Sequence, residues 1–283
     1  MIDLHIHSSA SDGEYSPSEI VFFAAEKRIS VIALTDHDTV SGLEEAEAAA
    51  AEKGIVFVRG IEININRQRG EFHLLGLGLK DIAPSLESLT RRLQNERVER
   101  NRTIIESMKA DGLAVDYEEL ESLFPGQNLG RPHIAAYLLE KRIVKRRQQA
   151  FDKYIGHGRP YYRGKQGAEL SEAVTAIVES GGIPVIAHPL SLYISWGKME
   201  ATLAEFRSAG VRGLEAWHPG AKVSSCRRLE TLARKLGFFI TAGSDFHGES
   251  VRADRKLGYT AGKIEIADKF WTEELQPALL ATR

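Results

Sequence analysis

Four short apolar runs in this chain end in histidine or aspartate, and that repetition restricts the fold more than any other feature. They lead into Leu4-His-Ile-His7 with Asp12 close behind, Thr35-Asp-His-Asp38, Ile186-Ala-His-Pro189 and Gly243-Ser-Asp-Phe-His-Gly248. In an extended strand residues i and i+2 point to the same side, so His5 and His7 can grip one cation while Asp12, past the turn, reaches a second. A single buried histidine is more often a hydrogen-bonded core residue than a ligand. Four strand ends that all carry such groups are explained most economically by one site at which they converge.

The pattern around those runs says what kind of scaffold brings strand ends together. Residues 1 to 80 alternate strand and helix: Ile2–Ile6, a helix near 17–28, Val31–Thr35, a helix near 42–53, Val56–Val58 and Phe72–Leu77. Ser16-Pro-Ser-Glu19 is a capping box with proline at the first helical position. The alternation resumes with a helix near 169–180, then Ile183–Ala187, a helix near 199–208, Gly213–Ala216, a helix near 222–236 and Phe238–Thr241. This rhythm predicts βα units around a parallel sheet, with residues 1–80 and 165–283 as two parts of one barrel-like domain. Between them, over 81–164, strand signals vanish in favour of long polar helical segments, which predicts a helical insertion, or cap. The insertion holds fifteen Lys and Arg against twelve Asp and Glu; the flanks hold 22 against 27. A mildly basic cap over an acidic base suits an anionic substrate held above cations, although a surplus of three is also what a solvated helical face shows.

Imidazole nitrogen and carboxylate oxygen are ligands suited to Zn²⁺, Mn²⁺ or Fe²⁺, and a carboxylate can bridge two ions where a histidine cannot. Glu62, in Val58-Arg-Gly-Ile-Glu-Ile63, closes a strand, and His73, in Glu71-Phe-His-Leu-Leu-Gly76, lies on the next. In an α/β barrel such groups gather at the C-terminal face. Arg131, in Gly130-Arg-Pro-His-Ile134, precedes a helix that Pro132 would start, and an arginine at a helix N-terminus makes a phosphate cradle. His218, in Leu214-Glu-Ala-Trp-His-Pro219, ends another strand and could give a proton to a leaving oxygen or bind a phosphate. Asp36 and Asp38 flank His37 as orienting acceptors, or Asp38 caps the following helix. His157 reads as a loop residue and Cys226 as a small helical side chain. The basic runs Arg97–Arg102 and Lys141–Arg147 read as solvated helix faces.

Together His5-x-His7, Asp12, Thr35-Asp-His37, Gly60-Ile-Glu62, His73, Ala187-His-Pro189 and Gly243-Ser-Asp-Phe-His247 resemble the motifs of the PHP (polymerase and histidinol phosphatase) family of metal-dependent phosphoesterases. The resemblance spans both flanks and the insertion. It implies an α/β fold, a distorted (βα)7 barrel, with two or three divalent ions at its strand ends. It implies one ion held by His5, His7, Glu62 and Asp245, a second by Asp12, His37 and His247, and a third by His73 and His188 with Glu62 bridging. Many members carry His where this chain has Asp12, and many carry a second His where it has Ala221. The chain resembles most the branch with a helical insertion, which implies hydrolysis of the 3′ phosphate of 3′,5′-nucleoside bisphosphates and 5′-to-3′ cleavage of short RNA. In that branch the Arg-Pro-His stretch touches the substrate phosphate from the cap, which implies substrate contacts for Arg131 and His133. Histidinol phosphate phosphatase is the alternative within the family. A non-catalytic or proofreading PHP module serving a polymerase is an alternative of another functional class, and a C–N hydrolase of the amidohydrolase type is an alternative outside the family.

Composition limits the setting. No run approaches the roughly 18 uninterrupted apolar residues of a membrane span, so no membrane partner is expected. The first residues lack the basic start and apolar centre of a signal peptide, and one cysteine leaves no intramolecular disulfide, which together favour a cytoplasmic setting. A formal charge of −2 argues against a basic surface that coats nucleic acid. The expected partner is a small anionic phosphorylated substrate, a nucleotide.

Overall fold

The computed structural model describes residues 1–164 and 167–281. Seven strands pair in chain order: β1 (Ile2–Ile6), β2 (Val31–Leu34), β3 (Val56–Ile65), β4 (Phe72–Leu77), β5 (Ile183–Ile186), β6 (Gly213–Trp217) and β7 (Phe239–Ala242). The sheet curls until its edges almost meet. The Asp245 N–H donates to the His5 carbonyl at 2.9 Å, and the His7 N–H to the Phe246 carbonyl at 2.9 Å, a parallel bridge between β1 and the segment after β7. Helices α1 (Pro17–Glu26), α2 (Leu43–Lys53), α3 (Pro84–Ala110), α4 (Tyr117–Leu123), α5 (Arg131–Glu140), α6 (Arg147–Ala150), α7 (Leu170–Glu179), α8 (Trp196–Ser208), α9 (Val223–Leu236) and α10 (Gln276–Ala281) complete the chain. This is a distorted (βα)7 barrel. The expected boundary at residue 165 lies outside the described residues.

Local chemistry explains the elements. Strands β1, β2, β4 and β5 are buried at every residue; β2 and β5 accordingly read as unbroken apolar runs, whereas β1 alternates Ile2, Leu4 and Ile6 with the buried polar groups Asp3 and His5. Helix α1 begins at the capping box: Ser16 Oγ accepts from the Glu19 N–H at 3.3 Å and the Glu19 carboxylate accepts from the Ser16 N–H at 2.8 Å. Helix α9 stops at Gly237, whose φ of 73° turns the chain out of the helix without a Cβ clash.

The sheet is not wholly parallel, as the alternation had implied. Strand β4 runs antiparallel to both β3 and β5. The cause is covalent: residues 66–71 are too few for a parallel crossover, which needs a dozen or more, so the chain folds straight back. Strand β3 is also longer than Val56–Val58, because it continues through Glu62 to pair with all of β4. The inversion has one consequence for function. It brings the first residues of β4, His73 among them, to the end of the barrel where the other strands finish.

Helices α3 to α6 carry a cluster of their own, in which Ile104, Met108, Leu120, Ile134, Leu138 and Ile155 are buried. One of the two basic runs is not a solvated face. Arg97 is buried and ion-pairs with Asp38, and burial pulls the Arg100 guanidinium down to about 9. The hydrophobic spacing of α3 places both on the side that meets the barrel, a placement visible only once the helix is docked. Leu138→Ala should lower unfolding stability by about 2–5 kcal/mol, since its side chain is wholly buried in the smaller cluster. Urea unfolding followed by circular dichroism measures this; a change below 0.5 kcal/mol would show that the cluster adds nothing to the cooperative fold.

Candidate metal centre

Glu62 sits fully buried near the end of β3 and is the point on which the histidines converge. Its Oε2 lies 3.4 Å from His5 Nε2, 3.2 Å from His7 Nε2 and 3.0 Å from His37 Nδ1. Its Oε1 lies 2.9 Å from both His73 Nδ1 and His188 Nε2. From the segment after β7, Asp245 Oδ1 lies 3.6 Å from His5 Nε2 and 3.4 Å from His7 Nε2. On the far side Asp12 Oδ1 is 3.4 Å from His247 Nε2 and 3.9 Å from His37 Nε2. All nine residues expected as ligands therefore lie in one continuous cluster, with Glu62 placed to bridge.

The cluster fits cations. His5 Nε2 and His7 Nε2 face each other at 3.1 Å, and Asp12 Oδ1, His37 Nδ1 and Glu62 Oε2 are buried without a hydrogen-bond partner. Lone pairs crowded this way cost free energy unless a positive charge lies among them. Ligand atoms about 2.1 Å from an ion stand about 3.0–3.4 Å from one another, close to the separations found here.

Tautomers point the same way. Ser191 Oγ gives its proton to the Glu71 carbonyl at 2.8 Å, so it must accept from His188 Nδ1 at 2.9 Å, which leaves His188 Nε2 bare toward Glu62. His247 Nδ1 donates to the Asp245 carbonyl at 2.9 Å, and His5 Nδ1 to Glu215 Oε1 at 2.9 Å. Each of these imidazoles commits Nδ1–H outward and turns Nε2 inward, the usual second-layer support of a metal-binding histidine. His218 is wired oppositely. The Gly220 N–H donates to its Nδ1 at 3.1 Å, so the proton sits on Nε2, 3.2 Å from Asp245 Oδ2.

Electrostatics reinforce the arrangement. Burial pushes the Glu62 carboxyl up, but His37, His73 and His5 together hold it well below the usual carboxylate range. Burial likewise opposes ionisation of Asp12 and Asp245 and is outweighed by their histidine neighbours. Burial holds His37 down to about 4, and so neutral, whereas His7 is lifted to about 9: burial lowers it, and hydrogen bonds to Asp245 and Glu62 more than compensate. The acidic neighbours that raise His7 mark a place where positive charge is stabilised.

The backbone is bent to aim these groups. Asp38, His188 and Asp245 have φ of 52°, 26° and 53°, a left-handed region that side chains avoid, and such strain concentrates at functional sites. Gly243 admits the close passage of β1, since a Cβ there would sit 2.2 Å from His5 Cβ.

The remaining expected residues divide. Arg131 starts α5 and lines a cavity of about 730 Å³ together with Asp12, His73, His247 and Arg147. His218 lines an adjoining cavity of about 350 Å³ over Glu62, His188 and Asp245. His133 is not brought to either cavity. Its Nδ1 accepts from the Gly130 N–H at 2.9 Å and its Nε2 faces Gln127 Oε1 at 3.0 Å, so both nitrogens serve the start of α5. Asp36 does not orient an imidazole: it accepts from the Ser8 N–H and from the Ser8 and Ser11 hydroxyls, fixing the turn that carries Asp12. Nor does Asp38 cap a helix, since α2 begins at Gly42; it accepts from the Asn64 N–H at 3.0 Å and pairs with Arg97.

Glu215 is the functional residue that the sequence reading passed over. It accepts from His5 Nδ1 and, at 2.7 Å, from the His188 N–H, tying two imidazoles to β6. Its signal was present, an acidic residue inside the apolar strand Gly213-Leu-Glu-Ala-Trp217 that had to be paired once buried.

A barrel with this many imidazole and carboxylate ligands at one mouth, beneath a cavity walled by arginines, defines a metal-dependent phosphoric ester hydrolase. The PHP domain family model matches residues 3–159, and the chain belongs to that family. It is 34% identical to a 3′,5′-nucleoside bisphosphate phosphatase of Chromobacterium violaceum, over 96% of this chain and 95% of that one. It is 33% identical to a 5′-3′ exoribonuclease of Haemophilus influenzae, over 95% of this chain and 98% of that one. Among solved structures it resembles a Chromobacterium violaceum protein described as an amidohydrolase with bound sulfate and no metal, at a TM-score of 0.85 and 33% identity over 99% of this chain and 96% of that one. Among the described residues no helix is long and apolar enough to cross a membrane.

Glu62→Gln keeps the shape of the bridging side chain but removes its charge. Metal bound per chain, measured by plasma mass spectrometry after dialysis, should fall; an unchanged ratio would remove Glu62 from the ligand set.

Proposed function

We propose that this chain removes the 3′ phosphate from 3′,5′-nucleoside bisphosphates such as adenosine 3′,5′-bisphosphate, and trims short RNA from its 5′ end. The observation that carries the reading is the junction of two cavities over one ligand cluster, with Arg131 and Arg147 on the wall contributed by the insertion. The two relatives named for a nucleoside bisphosphate and for RNA support it, as both match nearly the whole chain. We assign the ligands as His5, His7, Glu62 and Asp245 for one ion, Asp12, His37 and His247 for a second, and His73 and His188 with Glu62 for a third. Mn²⁺, Fe²⁺ or Zn²⁺ would suit the donors, and we place the enzyme in the cytoplasm, with residues 81–164 as its cap.

When bound, clustered divalent ions lower the pKa of water from about 15.7 towards 7 and offset charge on phosphoryl oxygens. The protein's own groups do the rest. Arg131, 15% exposed at the start of α5, faces the cavity with a guanidinium suited to two oxygens of one phosphoryl group. His218 holds its proton on Nε2 inside the smaller cavity, where it can donate a hydrogen bond to a phosphoryl or departing 3′ oxygen. Histidinol phosphate is the alternative substrate, favoured by family rather than by any residue of this cavity.

Mn²⁺-loaded protein should release phosphate from adenosine 3′,5′-bisphosphate and leave 5′-AMP, identified by chromatography. Turnover of histidinol phosphate with none of the bisphosphate would reverse the order of the two substrates. Arg131→Ala should cut kcat/KM about tenfold or more while bound metal stays constant; a parallel loss of metal would place Arg131 in the support of the ligands instead.

A further inference from the structure

Two arginines on the barrel side of the smaller cavity have no role in the chemistry described so far. Arg252 and Arg255 follow His247 in a tight turn, where the Arg255 N–H bonds back to the Arg252 carbonyl at 3.0 Å. Both guanidiniums line the cavity that contains Glu62, His188 and His218. Arg255 is only 5% exposed, yet its Nε has no hydrogen-bond partner. A buried guanidinium left this way costs free energy that a partner must offset.

The carboxylates within reach are already committed. Asp245 Oδ2 is 3.9 Å from Arg255 Nε and 3.4 Å from Arg252 Nη1, but it also accepts from His218, and Asp245 Oδ1 belongs to the metal cluster. Asp254, 3.6 Å from Arg255 Nη1, is 68% exposed and screened by water. Glu215 is taken by His5 and the His188 N–H.

We propose that Arg252 and Arg255 form an anion clamp that grips the phosphoryl group undergoing hydrolysis. This rests on the phosphoester reading above. The alternative location, the second phosphate of a bisphosphate, is disfavoured because only Arg252 also borders the larger cavity of Arg131, whereas both arginines line the one over Glu62.

Inorganic phosphate is the probe, titrated calorimetrically into Mn²⁺-loaded and metal-free protein, with kcat and KM for adenosine 3′,5′-bisphosphate and adenosine 3′-monophosphate measured alongside. Arg255→Gln should weaken phosphate binding about tenfold and lower kcat/KM for both nucleotides by the same factor, with metal per chain unchanged. Arg255→Lys should recover only part of the loss, because it keeps the charge and not the fork. Arg252→Gln, at a residue 40% exposed, should act in the same direction and guards against a variant that fails to fold. Unaltered phosphate affinity in both glutamine variants would overturn the clamp. So would a loss confined to the bisphosphate, which would move the pair to the other phosphate, or a fall in bound metal, which would make it a support for Asp245. If the wild-type chain hydrolyses neither nucleotide but the variants still lose phosphate affinity, the substrate reading fails and the clamp stands.

Discussion

The structure is organised around one buried carboxylate. Glu62 has no exposure, and its two oxygens meet imidazoles from β1, from the turn after β2, from β4 and from the segment after β5. A naked carboxylate in that position would be expelled or protonated, since moving an ion out of water costs several kcal/mol even after relaxation. It is held ionised by the convergence of the strands themselves. The barrel's near-closure and its ligand cluster are thus one fact, because the contacts that join β7 to β1 also deliver Asp245 to His5 and His7.

The sequence made the convergence legible because ligand chemistry is carried by residue type and strand-end position, both of which are local. His-x-His, Asp12 and the Asp-Phe-His of 245–247 announce themselves without any knowledge of the fold. Glu62 was legible for the same reason, as an acid in an apolar strand. Glu215 carried an equal signal and was missed because its partners, His5 and His188, are distant in the chain.

Strand direction and helix docking lay beyond local reading. The apolar pattern of Phe72–Leu77 is identical whichever way the strand runs, and only the short link of residues 66–71 betrays the reversal. Arg97 and Arg100 look in sequence like any charged helix positions, and what buries them is the barrel loop on which α3 lies. His133 sits beside Arg131 in the chain, yet a helix turns successive side chains about 100° apart, so the neighbour of a cavity residue need not share its cavity.

The grip of the insertion on that loop bears on how the enzyme can move. Arg97 pairs with Asp38, Gln94 Nε2 donates to the Asp38 carbonyl at 2.9 Å, and Asn128 Nδ2 donates to the His37 carbonyl at 2.7 Å. Swinging the helices away would strand a buried ion pair, at about 3–5 kcal/mol, and loosen the peptide that carries His37. Helix α3 and the segment before α5 are therefore fastened to the mouth of the barrel through the backbone of residues 37 and 38. Whatever loosens those helices is felt first at the peptide beside the histidine cluster.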